Sequence, residues 1–398
     1  MPDKFDPYLP EVRRDPYPWY RELLEHDPVH RGAHGFWYLA SYADVRMVMA
    51  DKRFGRDEFR ARKLEMQGPG PLSVITESHL FYIDPPDHDR LHSLIRKELA
   101  PVIVRGLESD MSQLVNRMID RAGAGHMDMI GELARPFPLR VIGDLIGMPA
   151  TDLELLHEWG LALAETTDPV PDTVAIERGH RRIGEYIDYM SSLVEQRRRS
   201  PGTDLVSRLF AAGPDQITEQ EIIAMIMVLV NAGHETTTNL IGNGLLALLE
   251  HPDQLRALRE TPSLIKSAIE ECLRYDSPVQ QNARVVQVDD VELQGHIMKR
   301  GDTVVVLQGS ANRDPARFPL PDDFDIARPN NQHMSFGRGM RFCVGAPLAR
   351  LEGAIALSAI IGRLRDVRLA IERKNLTYAP SSLFRGVESL PVEYVKVA

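Results

Sequence analysis

A lone thiol, Cys343, sits in the run Phe336-Gly337-Arg338-Gly339-Met340-Arg341-Phe342-Cys343-Val344-Gly345-Ala346-Pro347, where a soft metal ligand is bracketed by three glycines. Glycine admits positive φ and lets a flat ligand approach a backbone without a Cβ. The Ala346-Pro347 step suits the first turn of a helix, which Leu348 and Leu351 continue with apolar spacing. Unpaired amide hydrogens at such a start favour a thiolate. This spacing supports an activated sulfur ligand beside a surface on which something planar can lie. The plain alternative is a buried free cysteine in a glycine-rich turn.

A second constellation is Ala232-Gly233-His234-Glu235-Thr236-Thr237-Thr238-Asn239. Three Thr hydroxyls and an Asn amide are poor helix formers, so their place beside a carboxylate in an apolar pattern calls for a reason other than propensity. Glu235 beside Thr236 is the acid–alcohol pair that a proton relay needs. A solvated stripe on a surface helix is the bland reading, and the apolar flank Ile222 to Val230 argues against it. His234 has no partners at metal-ligand spacing and reads as a packing or gating residue. His88 and His92 stand at i and i+4 on one helix face, and Glu271 and Arg274 at i and i+3 on another. Arg197-Arg198-Arg199 reads as the cationic end of a helix rather than a nucleic-acid contact.

The elements that position these residues are mostly helical. Thr218 with Glu221 forms a capping box, and the pattern it opens runs without proline to about Glu250, roughly 50 Å of helix. His251-Pro252-Asp253 ends it, and a further helix spans about Ser263 to Tyr275. Helix is expected over about 86–275, with breaks at Gly123 to Gly125, Pro136 to Pro138, Asp168 to Pro171 and Ser200 to Gly202. Strands are expected at Phe36 to Ala40, Arg284 to Val288, Val291 to Leu293 and Thr303 to Val306, so β-containing portions lie at about 28–55 and 284–398. The stretch from about Arg56 to Phe81 lacks a clear period and reads as loop around Gln67-Gly68-Pro69-Gly70-Pro71. The expected fold is a single domain over 1–398, mainly α with a small β-rich segment.

Composition narrows the class. The chain has 398 residues, 26% charged and 43% hydrophobic, as in ordinary globular proteins. A net charge of −10 argues against nucleic acid as a partner. Two cysteines exclude a disulfide framework and a Cys-rich zinc site and fit a reducing compartment. The N-terminal residues form no signal peptide and no apolar run reaches bilayer length, so a cytoplasmic protein without a membrane anchor is expected.

The thiol loop resembles the haem-ligand loop of the cytochrome P450 family, through Phe336, Gly337, Gly339, Arg341, Cys343, Gly345 and Leu348-Ala349-Arg350. The resemblance extends over nearly the whole chain, with the family's motifs in order. It implies a P450-like fold with a long central helix over haem b, and Cys343 as the axial iron ligand. It implies that Gly233 lets haem and O2 approach the backbone and that Glu235 and Thr236 relay protons. His88, Arg284 and Arg341 would hold the haem propionates, together with His92, where many relatives carry Arg. Glu271 and Arg274 would form a buried pair behind the haem. Its usual third member is an arginine where this chain has Asp323, which leaves Arg328 as the substitute. The implied activity is a monooxygenase inserting one atom of O2 into an apolar organic substrate by hydroxylation or epoxidation, in natural-product tailoring. Electrons would come from NAD(P)H through ferredoxin and its reductase, with Arg338 and Arg350 as candidate contacts for the acidic donor. Implied pocket walls are 56–81, 160–176, Val228 to Glu235, Val279 to Ala283 and Ser381 to Phe384. Two other readings keep the haem: a peroxide-driven peroxygenase, which has no need of Glu235-Thr236, and a haem-based sensor or binding protein.

Overall fold

The strand Thr303-Val304-Val305-Val306-Leu307 is apolar from Val304 onward because both of its faces are covered. In the computed structural model, which describes residues 5–123, 125–166 and 173–397, Val304 and Val306 join Trp37, Leu39, Val45, Val48 and Phe318 in one core. Val305 and Leu307 point the other way and pack with Phe5, Tyr20, Leu23 and Tyr38 in a second. The five-stranded sheet runs in the order Val29–Arg31, Trp37–Leu39, Thr303–Leu307, Gln281–Val286 and Phe54–Gly55. Trp37 pairs with Val304 in parallel, and Gln281 with Leu307 antiparallel.

The described residues group into two compact units. One comprises the residues up to Phe54, Pro101–Phe137 and those from Thr236 onward. It carries the five-stranded sheet and a three-stranded sheet of His126–Asp128, Pro391–Lys396 and Leu364–Leu369. It also holds the hairpin Asp290–Leu293 and His296–Lys299, which turns at Gln294-Gly295 with φ of 49° and 81°. Its helices include Glu108–Arg121, Ile265–Tyr275 and Ala346–Arg363, which pack together.

The other unit, Gly55–Ala100 and Pro138–Glu235, is helical. Leu153–Glu165 lies along Thr173–Arg199, fastened by Trp159 stacked on Tyr186 with ring centroids 4.6 Å apart. The long helix Glu219–Glu250 has 32 residues, about 48 Å, and its sequence passes from the second unit into the first. The capping box forms as expected: Thr218 N–H donates to Glu221 Oε2 at 2.8 Å, and Glu221 N–H to Thr218 Oγ1 at 3.2 Å.

Three local expectations change. The 56–81 stretch is two helices, Asp57–Gln67 and Pro71–Ser78. The joint around Gly68 and Gly70, with φ of 66° and 147°, and the stretch from His79 to Phe81 are the loop. The short strand His126–Asp128 lies inside the stretch read as helix, held there by the C-terminal strand. The strand His296–Lys299 escaped notice because three of its four residues are exposed and leave no alternation. The break at Asp168 to Pro171 lies outside the described residues, as does part of the 160–176 wall and Ala124 in the Gly123 to Gly125 break.

Candidate active site

The thiol loop is built by its glycines. Gly337 and Gly339 take φ of 68° and 73°. A Cβ on Gly339 would also lie 3.2 Å from the Met49 carbonyl oxygen, so both conformation and space demand glycine there. The chain then makes a tight turn over Gly339–Arg341 and returns, the Cys343 N–H donating to the Phe336 carbonyl at 3.0 Å. The helix Ala346–Arg363 follows directly, with Gly345 at its N-cap and Pro347 in its first turn.

Cys343 is part-exposed, yet the protein around the sulfur removes enough water to push the thiol up; the Gly345 and Ala346 N–H groups and the Arg350 charge act the other way. The helix-start donors expected from the sequence are therefore present, with burial opposing them. Cys272 differs in kind: it is fully buried, and that burial together with the Glu271 charge holds its thiol far above the ordinary range. Arg350, expected as a contact for a partner, is engaged internally. Its guanidinium grips Glu270 at 2.6 and 2.8 Å and lies 4.5 Å from the Phe336 ring centroid, while His333 reaches the same carboxylate at 3.2 Å. Arg338 is exposed.

The middle of the long helix is polar and largely covered. His234, Thr237, Thr238 and Asn239 are buried, and His234 packs edge-on against His157 with centroids 5.3 Å apart. Glu235 keeps an exposed edge, but burial of its carboxyl pushes it up to about 7. Around Gly233 there is room: a Cβ there would meet only Ile142, at 3.8 Å. Asn239 fills the opposite kind of space, its Oδ1 1.9 Å from where a Cβ on Gly386 would stand.

One acid escaped the sequence reading. Glu352 is 2% exposed on the helix after Cys343; burial pushes it up to about 8, and a hydrogen bond with Thr237 opposes this. Its signal was its place four residues from both Leu348 and Ala356 on an otherwise apolar stripe.

The Glu271–Arg274 pair forms and is wholly buried. Arg274 donates to both carboxylate oxygens of Glu271 at 2.8 Å and to the carbonyls of Asn312, Pro321 and Asp323. Arg328 completes the group through Nε at 3.1 Å, and Asn331 adds a donor at 3.0 Å. Asp323 thus serves through its backbone carbonyl, and the arginine comes from five positions later.

Of the residues expected to hold propionates, His88 and His92 are brought together, their rings stacked 5.1 Å apart; His88 also meets Asp89 at 3.2 Å. Arg284 is buried and turned along its own strand toward Asn282 and the Ala283 carbonyl. Arg341 is part-buried, two residues before Cys343. The donor set of the Cys343 unit fits a haem: a part-exposed thiol with N–H groups at its sulfur, and cations in the same unit.

A family model described as Cytochrome P450 matches residues 162–261 and 262–372. The cytochrome P450 monooxygenase PikC of Streptomyces venezuelae is 36% identical, over 96% of this chain and 91% of that one. The polyketide biosynthesis cytochrome P450 PksS of Bacillus subtilis strain 168 is 34% identical, over 98% and 99%. The crystal structure of CalO2 superposes with a TM-score of 0.95 at 42% identity, over 99% of both chains. Identity sustained along the full length, joined to the thiol loop and the polar-centred helix, makes this chain a member of the cytochrome P450 family and a haem-thiolate monooxygenase.

Proposed function

We propose that Cys343 is the axial ligand of haem b and that the chain works as one domain, oxidising an apolar natural product in the cytoplasm. The thiol loop carries this reading: its glycine-enforced turn presents one part-exposed sulfur at a helix start. Phe336 and Gly345 shape that loop, the Phe336 carbonyl by accepting the Cys343 N–H. Haem b bound there supplies oxidation by O2, one oxygen atom entering the substrate and the other leaving as water. Arg284 and Arg341 would hold the propionates by charge, and His88 and His92 would do so by ring N–H donation.

Glu235 and Thr236 are the catalytic pair. A carboxyl raised to about 7 exchanges its proton readily near neutral pH, and the adjoining hydroxyl passes that proton onward. Gly233 keeps the helix surface bare beside them. Ferredoxin and its reductase deliver electrons from NAD(P)H. The name of PksS supports a polyketide-like substrate, and hydroxylation or epoxidation both suit the same oxidant.

The test is the absorption spectrum of the reduced, CO-bound protein beside Cys343→Ser. A strongly red-shifted Soret band that the variant loses is the expected result. The same band in both proteins, or no bound haem in the native one, overturns the assignment.

A further inference from the structure

The helix Asp57–Gln67 buries polar residues where an ordinary amphipathic helix buries apolar ones. Its two buried side chains are Lys63 and Gln67, 4% and 5% exposed. They lie one turn apart on the same face. The Lys63 ammonium donates to the Thr166 carbonyl and sits 5.4 Å from the Tyr82 ring centroid. No carboxylate pairs with it among the described residues. An ammonium has three donors, and a buried charge is costly unless it is paired. Gln67 Oε1 accepts from Thr76 Oγ1 at 2.9 Å, while its Nε2 is buried with no partner among the described residues.

The neighbours make the excess of donors and positive charge plainer. His79 is 4% exposed, 4.8 Å from the Tyr82 ring centroid and 5.2 Å from that of Phe81. Burial and the charges of Lys63 and Arg56 push its imidazole down to about 3, so it stays neutral and adds no counter-charge. Phe59 stacks on Tyr82 at 5.9 Å, giving the cluster an aromatic wall.

We propose that this face anchors a carboxylate of the substrate, the Lys63 ammonium supplying the charge and the Gln67 amide a second donor. The substrate is then an apolar body with one acidic end. This rests on the reading that residues 56–81 contact substrate.

The experiment titrates the haem-loaded protein by calorimetry with aliphatic and aryl carboxylic acids, each beside its methyl ester. A charge-assisted hydrogen bond corresponds to about a tenfold preference for acid over ester. Lys63→Met is expected to abolish that preference while leaving ester binding within about twofold, which also shows that the variant is folded. Lys63→Arg is expected to keep it, and Gln67→Met to reduce it. Absence of acid preference across the panel, or its survival in Lys63→Met, overturns the proposal; so does equal preference for alkyl phosphates. Failure of the haem-thiolate reading shows instead in the CO-bound spectrum, which this calorimetric comparison does not use.

Discussion

The Glu271 cluster and the Lys63 cluster are both buried and both ionic, but they are finished to different degrees. Arg274 spends all five of its N–H donors, two on Glu271 and three on carbonyls, and Glu271 also receives Arg328, Asn331 and the Asp325 N–H. Lys63 has one described acceptor and Gln67 an idle amide. A saturated network fixes one arrangement of the chain, since any departure strands a charge. An unsaturated one contributes little to holding the fold, and its surplus donors remain for something else. Burial alone therefore does not distinguish scaffold from site; the degree of satisfaction does.

The largest effect expected from this contrast is in Glu271→Ala or Arg274→Ala. Removing one partner of a buried pair costs about 3–5 kcal/mol, measurable by urea unfolding and by loss of haem-loaded protein. Lys63→Met is expected to cost far less, and equal losses would erase the contrast. Glu352 is the intermediate case, a buried acid with Thr237 as partner. Its folded value of about 8 lies above the ordinary 4.5, so the folded state holds a proton that the unfolded state releases between those limits. The contribution of Glu352 to stability is therefore fully present below pH 4.5 and is lost as pH rises toward 8, by at most about 1.4 kcal/mol per pH unit for one proton. Glu352→Gln is expected to flatten that slope in a series of melts.

Two smaller effects sharpen the comparison. Gln67→Met with Thr76→Val removes an idle donor and its neighbour together, and is expected to leave stability unchanged or raise it by about 1 kcal/mol. The same treatment of the Glu271 cluster would not. Thr218→Ala removes half of the capping box and is expected to cost about 1 kcal/mol, with the long helix otherwise intact by circular dichroism.

What could be read from the sequence was whatever repeats a local rule. Cys343 between glycines, Thr218 with Glu221, and Glu271 with Arg274 each declare themselves within a few residues. Arg328 needed the family resemblance, which expects an arginine where Asp323 stands. Lys63 and Gln67 stayed hidden because a helix that buries polar side chains shows no apolar stripe, so their segment read as loop. Glu352 stayed hidden for the opposite reason, inside a stripe strong enough to be taken as uniformly apolar. The buried setting of Arg284 depends on sheet neighbours distant in sequence, which no local pattern records.

Asn239 and Gly386 show how such packing constrains the chain's history. The Asn239 amide lies where a methyl group on residue 386 would fall, so Gly386→Ala requires the Asn239 side chain to turn away or residue 239 to become smaller. The two positions are thereby coupled, and a change at one is felt first at the other.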